Sequence, residues 1–217
     1  MQIYFKYILS LISSKNRGLP REAQRSGGFT LIELMVVIAI STIVMTSLII
    51  QQSKWNNRLT INTQTYELAL IIRQAQYYSL GVRGSNLLSG DQFSASYGTY
   101  IDMTVPNQYI FFIDKNKNNF LDSGETIETN FLHGVEIDRV CGTKKGSEKC
   151  STEVQSIESV GISWFRPRLN AVIIFFNHGG GSPSSIEPPV TIYLKSTGNT
   201  NLETSITVNS NGLISID

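Results

Sequence analysis

The chain has 217 residues, 41% of them apolar, enough to bury one core and to form one head domain with an appendage rather than two full domains. Its formal charge of +1 is unevenly placed: the first 28 residues carry +4 and the remainder −3, which argues against a wide basic surface on the main body. Gly-x4-Gly-Lys-Ser/Thr, His-Glu-x-x-His and dinucleotide fingerprints are all missing, so nucleotide hydrolysis and zinc proteolysis find no support and a non-enzymatic role is expected.

The first element is a basic leader, residues 1–28, with Lys6, Lys15, Arg17, Arg21 and Arg25 against Glu22. It is long and contains a semi-apolar patch from Ile3 to Ile12; translation from a non-methionine codon at Leu19 would shorten it to "LPREAQRSGG". Phe29 to Ile50 follows, 22 residues in which Glu33 is the single charge. As a helix it spans roughly 33 Å, enough to cross a hydrocarbon core about 30 Å thick. Basic residues crowd its N-terminal side, so the positive-inside bias places the leader in the cytoplasm and everything after Gln51 outside. A clean signal-peptidase site is not seen after Ile50, which predicts a retained single-pass membrane segment.

Glu33 admits two explanations. Thr30-Leu31-Ile32-Glu33 fits a capping box, in which both side chains satisfy backbone N–H groups of the first helical turn. A carboxylate in an apolar segment is also costly enough to suggest a functional role with a cationic partner. Here "GFTLIELMVVIAI" resembles the processing site of type IV prepilins and of the pseudopilins of type II secretion and DNA-uptake systems. The resemblance implies cleavage between Gly28 and Phe29 by a prepilin peptidase, N-methylation of Phe29, and assembly with other pilins or pseudopilins into a helical filament. It also implies that Glu33 neutralises the new N-terminal amine of a neighbouring subunit. Such a pair in a low-dielectric bundle penalises a wrong axial register more than it adds stability.

The helical pattern continues through residues 51–80 without Gly or Pro until Gly81. Trp55, Leu59, Asn62, Tyr66, Ala69, Ile72 and Gln76, widened by Leu68, Ile71 and Ala75, form the stripe expected to pack on a head domain. Residues 82–96, "VRGSNLLSGDQFSAS", read as a loop. From there to residue 217 the period is two. Strands are expected at Tyr100–Val105, Gln108–Ile113, Thr126–Leu132, Val135–Cys141, Ile157–Phe165, Ala171–Phe176, Val190–Leu194, Ser205–Val208 and Leu213–Ile216. The expected fold class is therefore α+β: a long N-terminal helix, its first half transmembrane, packed on an antiparallel β-sheet head spanning residues 81–217. "YGTYIDM" and the closing "SITVNSNGLISID" resemble the heads of H-type pseudopilins and related minor pilins.

Within the head, "DKNKNNFLDSGE" presents oxygens at positions 1, 3, 5, 7, 9 and 12 of a twelve-residue loop: Asp114, Asn116, Asn118, the Phe120 carbonyl, Asp122 and Glu125. This is the spacing of a Ca2+ loop, with Asn119 where glycine is usual; the other reading is a polar hairpin turn. Three carboxylates suit an extracellular-type affinity of about 0.1 to 1 mM. Cys141 and Cys150, outside the cytoplasm, are expected to form a disulfide closing the loop "GTKKGSEK" and displaying Lys144, Lys145 and Lys149. "HGGGSP" at His178 reads as a glycine-rich connection, since no Gly-x-Ser-x-Gly accompanies it. "WFRPR", Trp164 to Arg168, together with the lysines offers groups of the kind that bind single-stranded DNA, the less favoured alternative beside a secretion pseudopilin.

Overall fold

The computed structural model describes residues 28–81, 96–152, 157–165, 170–177, 185–198 and 201–217. It divides into two compact units, one ending at Ser47 and the other running from Leu48 to Asp217. A single helix, α1 (Leu31–Leu80), contributes to both. In the first unit every described side chain is exposed. Thr30 caps the helix start, its Oγ1 accepting the Glu33 N–H at 3.3 Å.

Among the described residues the second unit contains ten strands in two antiparallel sheets. They are β1 (Ser96–Asp102), β2 (Gln108–Asp114), β3 (Thr126–Phe131), β4 (Val135–Lys144), β5 (Ser147–Cys150), β6 (Ser159–Trp164), β7 (Val172–Phe176), β8 (Glu187–Ser196), β9 (Glu203–Val208) and β10 (Ile214–Ile216). One sheet has the order β3-β2-β1-β6-β7, the other β10-β9-β8-β4-β5. Each joins a three-strand meander to a hairpin through one non-local pairing, β1 with β6 and β8 with β4. The fold is α+β, as the residue pattern predicts, with two sheets in the head.

Alternation explains the second sheet. In β8, Val190, Ile192 and Leu194 are buried while Thr191, Tyr193 and Lys195 alternate with them on the opposite face. A register shift between Ile137 and Arg139 in β4 turns Asp138 and Arg139 both away from the core. There Arg139 lies over the Tyr193 ring at 3.9 Å and pairs with Asp138 at 2.7 Å, while Lys195 reaches Asp138 at 2.7 Å. Lys195 first, then Arg139, holds the Asp138 carboxyl below its usual range.

The sequence-predicted packing stripe of the helix needs correction. Trp55, Leu59, Asn62 and Tyr66 are exposed; Leu68, Ala69, Ile72 and Ala75 are buried as expected, and Ile61, Gln64, Thr65 and Ser79 complete the buried face. Four of the residues that fasten the helix to the sheets or lie buried on it are polar, which hides this face from an apolar count. Gln64 Oε1 accepts the His133 N–H at 3.0 Å, Gln76 donates to the Gly212 carbonyl at 3.1 Å, and Ser79 Oγ accepts the Tyr97 N–H at 2.8 Å. The Thr65 hydroxyl returns to the Ile61 carbonyl at 2.7 Å and so needs no partner in the head. Ile61, Leu68, Ile72 and Ala75 meet Ile101, Phe111, Val140, Trp164, Ile192 and Ile206 in one continuous core.

Ile72→Ala in the full chain is expected to lower unfolding stability by about 2 to 5 kcal/mol through the cavity it leaves. Tyr66→Ala is expected to change it by no more than about 0.5 kcal/mol. Denaturant titration of both variants in detergent checks the assignment of the two faces, and a reversed order of effects would contradict it.

Candidate functional site

The processing segment is open to solvent. Gly28 has nothing within 4 Å of a Cβ position, and Phe29 is 85% exposed. The capping box is half made: Thr30 supplies its oxygen to Glu33, while the exposed Glu33 carboxylate has no hydrogen-bond or ion-pair partner among the described residues. Leu31–Ile49 is a 19-residue apolar span, none of it buried within the protein. At 1.5 Å per residue it measures roughly 28 Å, close to the thickness of a hydrocarbon core. Residues 1–27 of the leader lie outside the described residues.

The head loop Asp114–Glu125 is built by its own side chains. Asp114 is buried and both its oxygens accept backbone N–H groups, from Asn118 at 3.1 Å and Asn119 at 2.8 Å. Glu125, also buried, accepts from the Lys115 N–H and the Asp122 N–H at 2.8 and 2.9 Å. Asp122 Oδ2 receives the amides of Asn116 at 2.9 Å and Asn118 at 2.8 Å. The backbone enters the left-handed region at Lys117 (φ 59°), Asn119 (φ 62°) and Gly124 (φ 85°). Asparagine at the sixth position thus adopts the conformation for which glycine is usual. Burial pushes the Asp114 carboxyl up, partly offset by the N–H groups of Asn119 and Asn118, and the nearby Glu125 charge adds to the rise.

The loop folds back over the face of the first sheet turned away from the main core. Phe120 packs on Phe176 with ring centroids 5.1 Å apart, Tyr100 approaches the same ring at 6.3 Å, and Ser163 donates to Asn119 Oδ1 at 3.2 Å. Gly98 keeps that face flat: a Cβ there would lie 2.7 Å from the Phe112 ring. The six expected oxygen ligands therefore sit in one loop, anchored by an aromatic cluster that alternation in β6 and β7 does not reveal.

Cys141 and Cys150 form a disulfide between directly paired residues of β4 and β5. The segment expected as a loop is instead a hairpin whose turn residues, Lys145 (φ 52°) and Gly146 (φ 79°), both take positive φ. Those two angles match the twist of the flanking strands, and Lys-Gly at the centre of the segment was the available signal. Lys144 and Lys145 stand exposed at its tip, while Lys149 is half-buried on β5. Glu148 lies beside the two sulfurs, but with the thiols joined the cluster lacks thiolate ligands.

The family model for the prokaryotic N-terminal methylation motif matches residues 23–49. The amino-terminal segment carries this motif. It supports a type IV pilin-like or pseudopilin subunit, and with it processing by a prepilin peptidase and assembly with other pilins. The apolar span Leu31–Ile49 lies within the matched segment and fits a membrane-anchored pilin. No curated protein and no solved structure matches the chain. The motif covers 27 residues and leaves the β-rich head to be read from its own geometry.

Trp164 is fully buried and Phe165 half-buried, so Trp164 offers no face for a base to stack on. Arg166 to Arg168 and the "HGGGSP" segment lie outside the described residues.

Because β4 and β5 pair directly beneath it, the disulfide closes a short segment without requiring the core to move. Replacing both Cys141 and Cys150 by serine is expected to lower stability by about 2 to 3 kcal/mol while leaving the head folded. Equilibrium unfolding with circular dichroism measures this, and an unchanged midpoint would place the hairpin's stability in its ladder alone.

Proposed function

We propose that the protein is a structural subunit, a minor pilin or pseudopilin, of a type IV pilus-like filament. A prepilin peptidase cleaves it between Gly28 and Phe29, Phe29 is methylated, and the apolar helix carries it from the membrane into the filament. The single observation that supports this most is the coincidence of the methylation motif with an exposed apolar span of membrane length. In this reading Glu33, which has no partner among the described residues, meets the Phe29 amine of a neighbour and sets axial register. The same assembly logic serves a secretion pseudopilus. Mass spectrometry of the N-terminal peptide from the native host is expected to find N-methyl-Phe29. Glu33→Ala is expected to leave cleavage intact and to reduce filament incorporation at least tenfold; normal incorporation would remove Glu33 from the register role.

We propose further that the Asp114–Glu125 loop binds Ca2+. The donor set fits a hard cation: carboxylates of Asp114, Asp122 and Glu125, side-chain oxygens of Asn116 and Asn118, and the Phe120 carbonyl. The two amides that donate to Asp122 can present their oxygens instead by a half-turn of the terminal bond. A cation would also offset the unfavourable burial of Asp114 and Glu125. The expected effect is a rise in melting temperature of the full chain in millimolar Ca2+ over chelator, abolished by Glu125→Gln. An identical melting temperature in both conditions would identify the segment as a plain hydrogen-bonded turn.

A further inference from the structure

Among the described residues the two sheets end in β3 and β7 on one side and β10 and β5 on the other. Three of these edges are guarded. β7 is buried or half-buried throughout, β10 has only three residues, and β5 carries Lys149 and is tied to β4 by the disulfide. In β3, by contrast, every residue except half-buried Asn130 is exposed, and the strand contains neither lysine nor proline.

Two flanking bonds show which backbone groups of β3 are open. The Ile113 N–H donates to the Glu125 carbonyl at 2.9 Å and the Leu132 N–H to the Asn107 carbonyl at 2.8 Å, so Asn107, Tyr109, Phe111 and Ile113 turn their backbone groups toward β3. Asn130 and Glu128, directly opposite Tyr109 and Phe111, bond back to them. The alternate residues, Thr129 and Phe131, therefore send their N–H and C=O groups out of the sheet, where no described residue meets them.

The two faces of this edge differ in chemistry. On the outer face Phe131, 55% exposed, shares a side with Thr129 and half-buried Ile110, at the end of the sheet away from β7 and the Phe120–Phe176 contact. On the other face Glu128 meets Glu67 of α1. Gln64 fixes Glu67 there: its Nε2 donates to Glu67 Oε2 at 2.6 Å, while its Oε1 holds the His133 N–H just beyond the strand. Burial first, then the charges of Glu67 and Glu128, push the Tyr109 phenol up to about 12, so both carboxylates act on one hydroxyl. Both are exposed, and neither has an ion-pair partner among the described residues.

We propose that the β3 edge docks an extended segment of a partner protein, in which basic side chains facing Glu67 and Glu128 alternate with apolar side chains facing Ile110 and Phe131. Bonds to the backbone of Thr129 and Phe131 add the segment as a further strand, and its period of two presents the two kinds of side chain to the two faces. A second copy of this edge is the wrong occupant, because it would set one acidic edge against another with no cation between them. At about 3.3 Å per residue the edge is about 20 Å long, which suits a small, reversible contact.

The test uses the full chain in neutral detergent with a fluorescein-labelled peptide, Lys-Val-Lys-Val-Lys-Val, followed by fluorescence anisotropy. Saturable binding is expected, about tenfold tighter than that of Glu-Val-Glu-Val-Glu-Val. N-methylation of the lysine nitrogens in one peptide and of the valine nitrogens in another removes the donors facing β3 in one of the two, and that one is expected to bind about tenfold more weakly. The double variant Glu67→Gln, Glu128→Gln is expected to lose binding by about tenfold at an unchanged melting temperature. An absence of binding, equal binding of the glutamate peptide, indifference to both N-methylations, or full binding by the double variant would each overturn the proposal. Disulfide-linked dimers of a Thr129→Cys variant in place of peptide binding would assign the edge to a second copy and overturn it as well.

Discussion

A helix running from Leu31 to Leu80 exposes more apolar surface than one small head can cover, and the arrangement of the molecule follows from where that surface is hidden. In its head half, one face is satisfied internally by Leu68, Ile72 and Ala75 against both sheets. Polar side chains then lock the helix to the sheets: Gln64 holds His133, Gln76 holds Gly212 and Ser79 holds Tyr97. Because these bonds are directional and partly or fully buried, they favour one rotation of the helix, and an unmade bond at any of them would be penalised. That rotation turns the Trp55-Tyr66-Tyr77 series outward.

The outer faces of the two sheets are closed in different ways. The second sheet carries a charged outer face in which Arg139, stacked on Tyr193, bridges Asp138 and Glu203. The first sheet is covered on its outer face by the Asp114–Glu125 loop, whose Phe120 fills the space beside Phe176. The loop thus serves as a lid on the sheet whatever it binds. Such cover matters because a bare apolar sheet face is a site of unwanted association.

Much of this was legible from residue order. Among the described residues nine of the ten strands were expected, although β1 runs from Ser96 to Asp102 where Tyr100–Val105 was expected, and the helix ends at the residue before Gly81 as expected. The exception, β5, was concealed because Ser147–Cys150 lacks apolar alternation; its pairing is imposed by the Lys145-Gly146 turn and the disulfide. The helix face was misjudged for a related reason. Stepping by three or four from Trp55 places Trp55, Leu59, Asn62 and Tyr66 inward, whereas Gln64, Thr65 and Ser79 line the inward side, with Gln64 and Ser79 bonded to the head through contacts that no periodicity encodes. For the head loop, the ligand spacing was readable, but its anchoring by Phe120, Phe176 and Ser163 was not.

Sequence by itself determined the amino-terminal chemistry: a basic leader, Gly28-Phe29, Glu33 and an apolar span are local features, and local chemistry is written in adjacent residues. It also determined the class of the head, since the change of period from 3.6 to 2 depends on each chain segment alone. Only the tertiary structure decided the division into two sheets, the partners of β1 and β8, and the rotation of the helix on the head. Those choices join residues distant in the chain, such as Tyr97 with Trp164 and Gln64 with His133, through burial and hydrogen bonding that exist only once the pieces meet.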